Sequence, residues 1–229
     1  MLVPASIILF VYYIASIIIN RPIAKHIHVI AHRGGAAYAP ENTLLAFKNA
    51  IKQGVDWLEF EEQESKDGIL VLYHNPTVDT LGVGIVNDYT YEELQAVDLG
   101  ENQKIPKFEE VVLLAKRNLI NILPEAKSVP NNPNLILKMI EIIEAHDYVK
   151  HTIVQSFSPE AIVQLHELAP NISGCMLYGL SNFRAHMHPP YPGDSPTLCL
   201  MSEMLFLNPA MVRQAHKAGR QVFVYPGIF

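Results

Sequence analysis

Seven ionisable residues mark the ends of short apolar runs in this chain. His32 and Arg33 follow Ile27–Ile30, Glu59 and Glu61 fall within Trp57–Glu61, His74 follows Ile69–Tyr73, and Glu125 and Lys127 follow Leu119–Leu123. Carboxylates at i and i+2 of a strand share one face, so Glu59 and Glu61 point together, inward if Leu58 and Phe60 pack outward. Like charges that close repel unless a cation sits between them. Glutamate oxygens with water suit Mg²⁺ or Ca²⁺ better than zinc. The competing reading is a solvated acidic edge strand, because Glu62 and Glu64 follow. His32 and His74 are a candidate acid and base, or structural histidines. Lys127 and Arg33 are candidate anion ligands, or partners in local ion pairs. Gly34 and Gly35 allow the backbone to turn tightly beside them.

Alternating short β-rich runs and helical patterns must position these groups. Strands are expected at His28–Ala31, Trp57–Glu61, Ile69–Tyr73, Leu119–Leu123, Thr152–Phe157, Gly174–Tyr178 and Gln221–Tyr225. The turn Ser65-Lys66-Asp67-Gly68 predicts a hairpin between the second and third. Thr43 can cap a helix through Leu44, Phe47, Ala50 and Ile51 that ends at Gly54. Further helices are expected at Tyr91–Val97, Phe108–Arg117, Leu135–Ala145, Pro159–Leu168 and Ala210–Ala218. Residues 181–196 read as a Pro-rich loop that includes His186 and His188. Leu198–Leu207 reads as core strand or as the wall of an apolar groove. Repeated βα units predict a TIM-type (β/α) barrel, with a doubly wound open sheet as the competitor. The last strand counts as the seventh, so the barrel is expected to lack its final βα unit.

The chain has 229 residues, 49% hydrophobic and 17% charged, enough for one sizeable core and too apolar for disorder. A net charge of -6 without a basic block excludes a general nucleic-acid binder. Cys175 and Cys199 can pair or remain reduced and buried. Leu2–Ile19 is almost wholly apolar. Some 18 residues at about 1.5 Å each give roughly 27 Å, close to a bilayer's hydrocarbon thickness. No basic residue precedes the run, so an uncleaved single-pass anchor over residues 1–20 is expected ahead of a signal peptide or a core helix. Arg21 and Lys25 follow it and favour a cytosolic body, although the side stays open.

The segments AHRGGAAYAPENT (31–43) and LEFEEQESKDGILVLYHNP (58–76), with the later PEAK, QSF and AHKAG, together resemble the glycerophosphodiester phosphodiesterase family. The likeness covers about residues 28–226. It implies a TIM-barrel hydrolase that cleaves glycerophosphodiesters to sn-glycerol 3-phosphate and an alcohol in lipid metabolism. By the resemblance, His32 and His74 are catalytic, Glu59, Glu61 and Glu125 hold one Mg²⁺ or Ca²⁺, and Arg33 and Lys127 contact the phosphate. Such chemistry needs charge neutralisation, a deprotonated nucleophile and a protonated leaving alkoxide. In the family-type route the glycerol 2-hydroxyl attacks phosphorus and expels the alcohol, giving a cyclic phosphate that water then opens.

This chain departs from the family pattern at several points. Glu61 replaces the usual Asp, Asn75 the Asp after the second histidine, Asp79-Thr80-Leu81 an Arg-Thr-Thr, and Tyr225 a Trp. Pro124 also falls in a strand expected to be central. Asn75, Pro124 and the missing last unit motivate one alternative, an inactive, truncated relative with a binding role, and the apolar Leu198–Leu207 segment motivates another, a lysophospholipase D-type activity on acylated diesters.

Overall fold

A computed structural model of the chain describes residues 5–19, 27–78, 84–127, 132, 134–179 and 196–227. Expectations that rest on Arg21, Lys25, Asp79-Thr80-Leu81, His186 and His188 lie outside these residues.

The strands are β1 (Ile30–Ala31), β2 (Trp57–Glu64), β3 (Leu70–Leu72), β4 (Asn121–Ala126), β5 (Ile153–Ser156), β6 (Ser173–Tyr178), β7 (Thr197–Met201) and β8 (Gln221–Tyr225). Seven of them pair in parallel in the order β1-β2-β4-β5-β6-β7-β8, and β3 folds back antiparallel on the end of β2 through the expected turn. The helices are α1 (Ala5–Ile19), α2 (Leu44–Lys52), α3 (Tyr91–Leu94), α4 (Phe108–Asn118), α5 (Leu135–Ala145), α6 (Pro159–Leu168), α7 (Ser202–Leu207) and α8 (Met211–Lys217).

Alternation along the strands divides the core into two sides. Leu58 and Phe60 of β2, Ile122 of β4 and Val154 of β5 face outward and pack on Phe47, Phe108, Val112, Met139 and Leu165 of the helices. Burying each of these large side chains contributes about 1.5–3 kcal/mol. The inward set is Leu123, Ile153, Cys175, Leu177, Cys199 and Phe223, with Trp57 against them.

One contact decides between barrel and open sheet. The rings of Trp57 on β2 and Phe223 on β8 lie 5.3 Å apart. Five strand spacings of about 4.8 Å would separate these strands by roughly 24 Å in a flat sheet. The sheet is therefore curled in the manner of a TIM-type barrel.

Helix starts follow local chemistry. Thr43 Oγ1 accepts from the Ala46 N–H at the head of α2, and Ser158 does the same for Ala161 at the head of α6.

One expectation needs correction, and three open readings are decided. Within the described residues α1 covers 15 residues, about 22 Å, against a hydrocarbon core of about 30 Å. Among the described residues no helix is long and apolar enough to cross a membrane, so the single-pass anchor and the membrane localisation built on it are not supported. Second, only Leu198–Met201 of the segment Leu198–Leu207 is core strand, and its inward-facing Cys199 lines the cavity enclosed by the sheet. β7 stops at Met201, α7 begins at Ser202, and Leu198 and Leu200 pack outward with Met204 and Ala215. Third, Cys175 and Cys199 are joined in a disulfide across neighbouring strands. Fourth, β2 is not a solvated edge. It is flanked by β1 and β4, and Glu59, Glu61 and Glu62 are all buried.

Pro124 sits within β4 opposite Phe60 of β2. Six residue pairs join β2 and β4, whereas β4 and β5 share only Glu125↔Gln155 and the isolated bridge Ile122↔Thr152. The pairing gap opposite Pro124 thus falls on the β5 side, where a missing N–H removes a ladder bond.

Candidate active site

At the end of β1 the chain makes three successive left-handed residues, Arg33 (φ 50°), Gly34 (φ 76°) and Gly35 (φ 87°). Gly34 is required twice over, because a Cβ there would also meet the Phe47 ring at 2.8 Å. Arg33 adopts a conformation that costs a side-chain-bearing residue about 1–2 kcal/mol. Its own hydrogen bonds hold it there. The Arg33 N–H donates to Glu59 Oε2 at 2.8 Å, and the Arg33 carbonyl accepts the Asn42 N–H at 2.9 Å. The guanidinium bonds Glu41 Oε2 at 2.9 Å and sits 3.2 Å from Glu61 Oε1 through Nε.

Strand β2 carries Glu59 and Glu61 inward, as the i, i+2 spacing requires. Glu61 Oε1 is the point on which the site converges. Besides Arg33, Lys127 Nζ lies 3.6 Å from it and His74 Nε2 3.8 Å from it. Glu125 is the ladder partner of Glu61 on β4. All seven residues line one cavity of about 540 Å³. The structure therefore brings together every site residue that the sequence nominates.

Burial and mutual repulsion set the charge states. Burial pushes the Glu59 carboxyl well above its ordinary value, and neighbouring Glu61 pushes it further. Burial raises Glu125 to about 7 against the opposing pull of Lys127, with Glu61 adding to the rise. His32 moves down, first through burial and then through the adjacent Arg33 charge. Glu62, on the outer face of β2, is also raised well by burial, and both its carboxyl oxygens lack a hydrogen-bond partner.

The carboxyl oxygens of Glu59, Glu61 and Glu125, crowded on one side of the sheet, are a donor set suited to a hard divalent cation. The tightest cluster of ligand atoms comes from His32, Glu59 and Glu61, within 4.8 Å of one another. Glu125 lies outside that trio, although it lines the same cavity.

Several residues that position the site are not evident from strand-end reading. Asn42 Nδ2 donates to Glu61 Oε2 at 2.8 Å, and Gln155 Nε2 donates to Glu59 Oε1 at 3.0 Å. Gln63, the next inward residue of β2, donates to the carbonyls of Tyr73 and Asn75 at 2.6 and 2.7 Å and so pins the backbone on both sides of His74. Asn75 Oδ1 lies 3.0 Å from His74 Nδ1. An Nδ1–H donated to it leaves Nε2 turned toward Glu61. Gln63 continues the i+2 series of Glu59 and Glu61, whereas Asn42, Asn75 and Gln155 fall within the PENT, HNP and QSF segments without any spacing that marks their role.

A family profile described as the glycerophosphoryl diester phosphodiesterase family matches residues 32–226. A glycerophosphodiester phosphodiesterase from Caldanaerobacter subterraneus is 37% identical over 162 residues, which cover 66% of this chain and 66% of that protein. The match thus spans just under two thirds of that relative's length. The solved structure of a putative glycerophosphodiester phosphodiesterase from Galdieria sulphuraria has a TM-score of 0.76 at 25% identity, covering 90% of this chain and 87% of that one. A phosphodiesterase from Oleispira antarctica, solved in complex with the product sn-glycerol-3-phosphate, shares the fold at a TM-score of 0.74 and 24% identity, over 87% and 84% of the two chains.

Proposed function

Because the chain belongs to the glycerophosphoryl diester phosphodiesterase family, we propose that it hydrolyses glycerophosphodiesters to sn-glycerol 3-phosphate and an alcohol, using one divalent cation, Mg²⁺ or Ca²⁺. The observation that carries this reading is the convergence on Glu61. One buried carboxylate oxygen faces a guanidinium, an ammonium and an imidazole inside a single cavity.

Each residue then has a task. Glu59, Glu61 and Glu125 hold the cation, whose chemistry when bound is to neutralise phosphate charge and stabilise developing oxyanions. Arg33 and Lys127 contact the non-bridging phosphate oxygens, the planar guanidinium suiting two of them at once. His32, kept neutral by burial and by Arg33, takes the proton from the attacking hydroxyl. His74, oriented by Asn75 and by the Gln63 clamp on its backbone, protonates the leaving alkoxide. Asn75 thus supplies an orienting oxygen where the family has a carboxylate, which supports an active enzyme over an inactive relative.

The decisive experiment measures glycerol 3-phosphate released from glycerophosphocholine with Mg²⁺ or Ca²⁺. Unchanged turnover in His32→Ala, or in excess EDTA, would overturn the assignment. A second reading rests on Phe157, Leu177 and Phe223, which line the same cavity. An apolar wall of this kind favours an alcohol that still carries an acyl chain. Faster hydrolysis of an acylated diester than of its water-soluble counterpart would establish it, and the reverse would dismiss it.

A further inference from the structure

We propose that Asn42 is a positioning residue that aims the Glu61 carboxylate, an inference that rests on the hydrolase reading above. Asn42 is buried, with 1% exposure, and does not line the cavity into which Glu61 Oε1 points. Its Nδ2 donates to Glu61 Oε2 at 2.8 Å, and its backbone N–H donates to the Arg33 carbonyl at 2.9 Å. One residue thus ties the turn that carries His32 and Arg33 to the carboxylate on the neighbouring strand.

The division of labour between the two Glu61 oxygens follows from this bond. Oε2 is held by the amide, and Oε1 is left to face Arg33 at 3.2 Å, Lys127 at 3.6 Å and His74 at 3.8 Å. The amide donor is neutral, so it fixes the carboxylate's rotation while leaving its full charge for the cavity. Glu59 is held in the same manner by Gln155 and by the Arg33 N–H. Asn42 has φ 56°, a left-handed conformation that asparagine tolerates and glycine adopts freely. Its Oδ1 is buried without a hydrogen-bond partner, so the Nδ2 bond is the side chain's contribution.

This backbone geometry makes Asn42→Gly a clean test, because it keeps the turn and the N–H to Arg33 while removing the amide. On the full chain, the variant is expected to melt within a few degrees of the parent. Calorimetric affinity for Mg²⁺ or Ca²⁺ should fall about 10–100-fold, as for loss of other groups that orient metal ligands. The kcat on glycerophosphocholine should fall with it while KM moves less. A crystal structure of the variant should show the Glu61 carboxylate rotated away from its present position. Parental ion affinity with Glu61 in place would overturn the inference.

If Asn42→Gly fails to fold, the near-isosteric Asn42→Asp replaces the donor with an oxygen, and an unmoved Glu61 in its crystal structure would likewise overturn it. Should the parent bind no divalent ion, the hydrolase reading loses its cation. The position of Glu61 in the variants still decides the role of Asn42.

Discussion

Glu61 of β2 and Glu125 of β4 are direct partners across the parallel ladder, both buried and both facing the same cavity. Two carboxyl groups in this relationship cannot both ionise without cost unless positive charge joins them. Arg33 and Lys127 supply part of that charge, and Glu125 still titrates near 7.

The first prediction concerns stability and pH. The Glu125 carboxyl rises from its ordinary 4.5 to about 7 on folding. Between these values the unfolded chain releases its proton while the folded chain keeps it. Its contribution is therefore full below about pH 4.5 and lost as pH rises toward 7, a change on the order of 3 kcal/mol. Glu59 shifts in the same direction. Denaturant titrations of the parent and Glu125→Gln without divalent ions should differ by this slope across pH 4.5–7. Millimolar Mg²⁺ or Ca²⁺ should flatten the parent's decline. Parallel curves for the two proteins would refute the claim.

Glu59→Gln should separate stability from function. The substitution removes an ionisable carboxyl that repels Glu61 while keeping the shape of the side chain and an oxygen for the Arg33 N–H, at the cost of the bond from Gln155 Nε2. Without divalent ions its melting temperature should stay within a few degrees of the parent's, whereas turnover with Mg²⁺ or Ca²⁺ should drop by about 100-fold or more. A variant that is both less stable and fully active would contradict the assigned role.

His74 offers a test through Asn75. Replacing it by Asp puts a carboxylate beside Nδ1, which favours the charged imidazole. If His74 is the general acid, the alkaline limb of the pH–rate profile should move to higher pH in Asn75→Asp. His74→Ala should lose about 10²–10⁴-fold in kcat. An alkaline limb that stays put in the Asp variant would remove His74 from that role.

The paired glycines of the first turn are predicted to be unequal. Both have left-handed φ, but a Cβ on Gly34 meets the Phe47 ring at 2.8 Å, whereas one on Gly35 meets only the Ala50 Cβ at 3.9 Å. Gly34→Ala should therefore cost about 1–3 kcal/mol more than Gly35→Ala, through overpacking added to a shared backbone strain. Thermal or urea unfolding of the two single variants measures the difference, and equal losses would count against it.

Much of this site is a property of the sequence itself. The i, i+2 spacing puts Glu59 and Glu61 on one strand face, Thr43 caps α2, and the Ser65–Gly68 turn folds β3 back on β2. These are local facts, fixed by backbone periodicity and by bonds within a few residues. The family resemblance carried by AHRGGAAYAPENT, LEFEEQESKDGILVLYHNP and PEAK named seven groups, all of which line the cavity.

What the tertiary structure decided depends on neighbours distant in sequence. Whether Glu59 and Glu61 are solvated or buried turned on β2 lying between β1 and β4. The roles of Asn42, Gln63 and Gln155 exist only because their partners, 10 to 96 residues away, arrive at hydrogen-bond distance. The curl that brings Trp57 to Phe223 likewise emerges from strand twist summed over the sheet, which no single segment encodes.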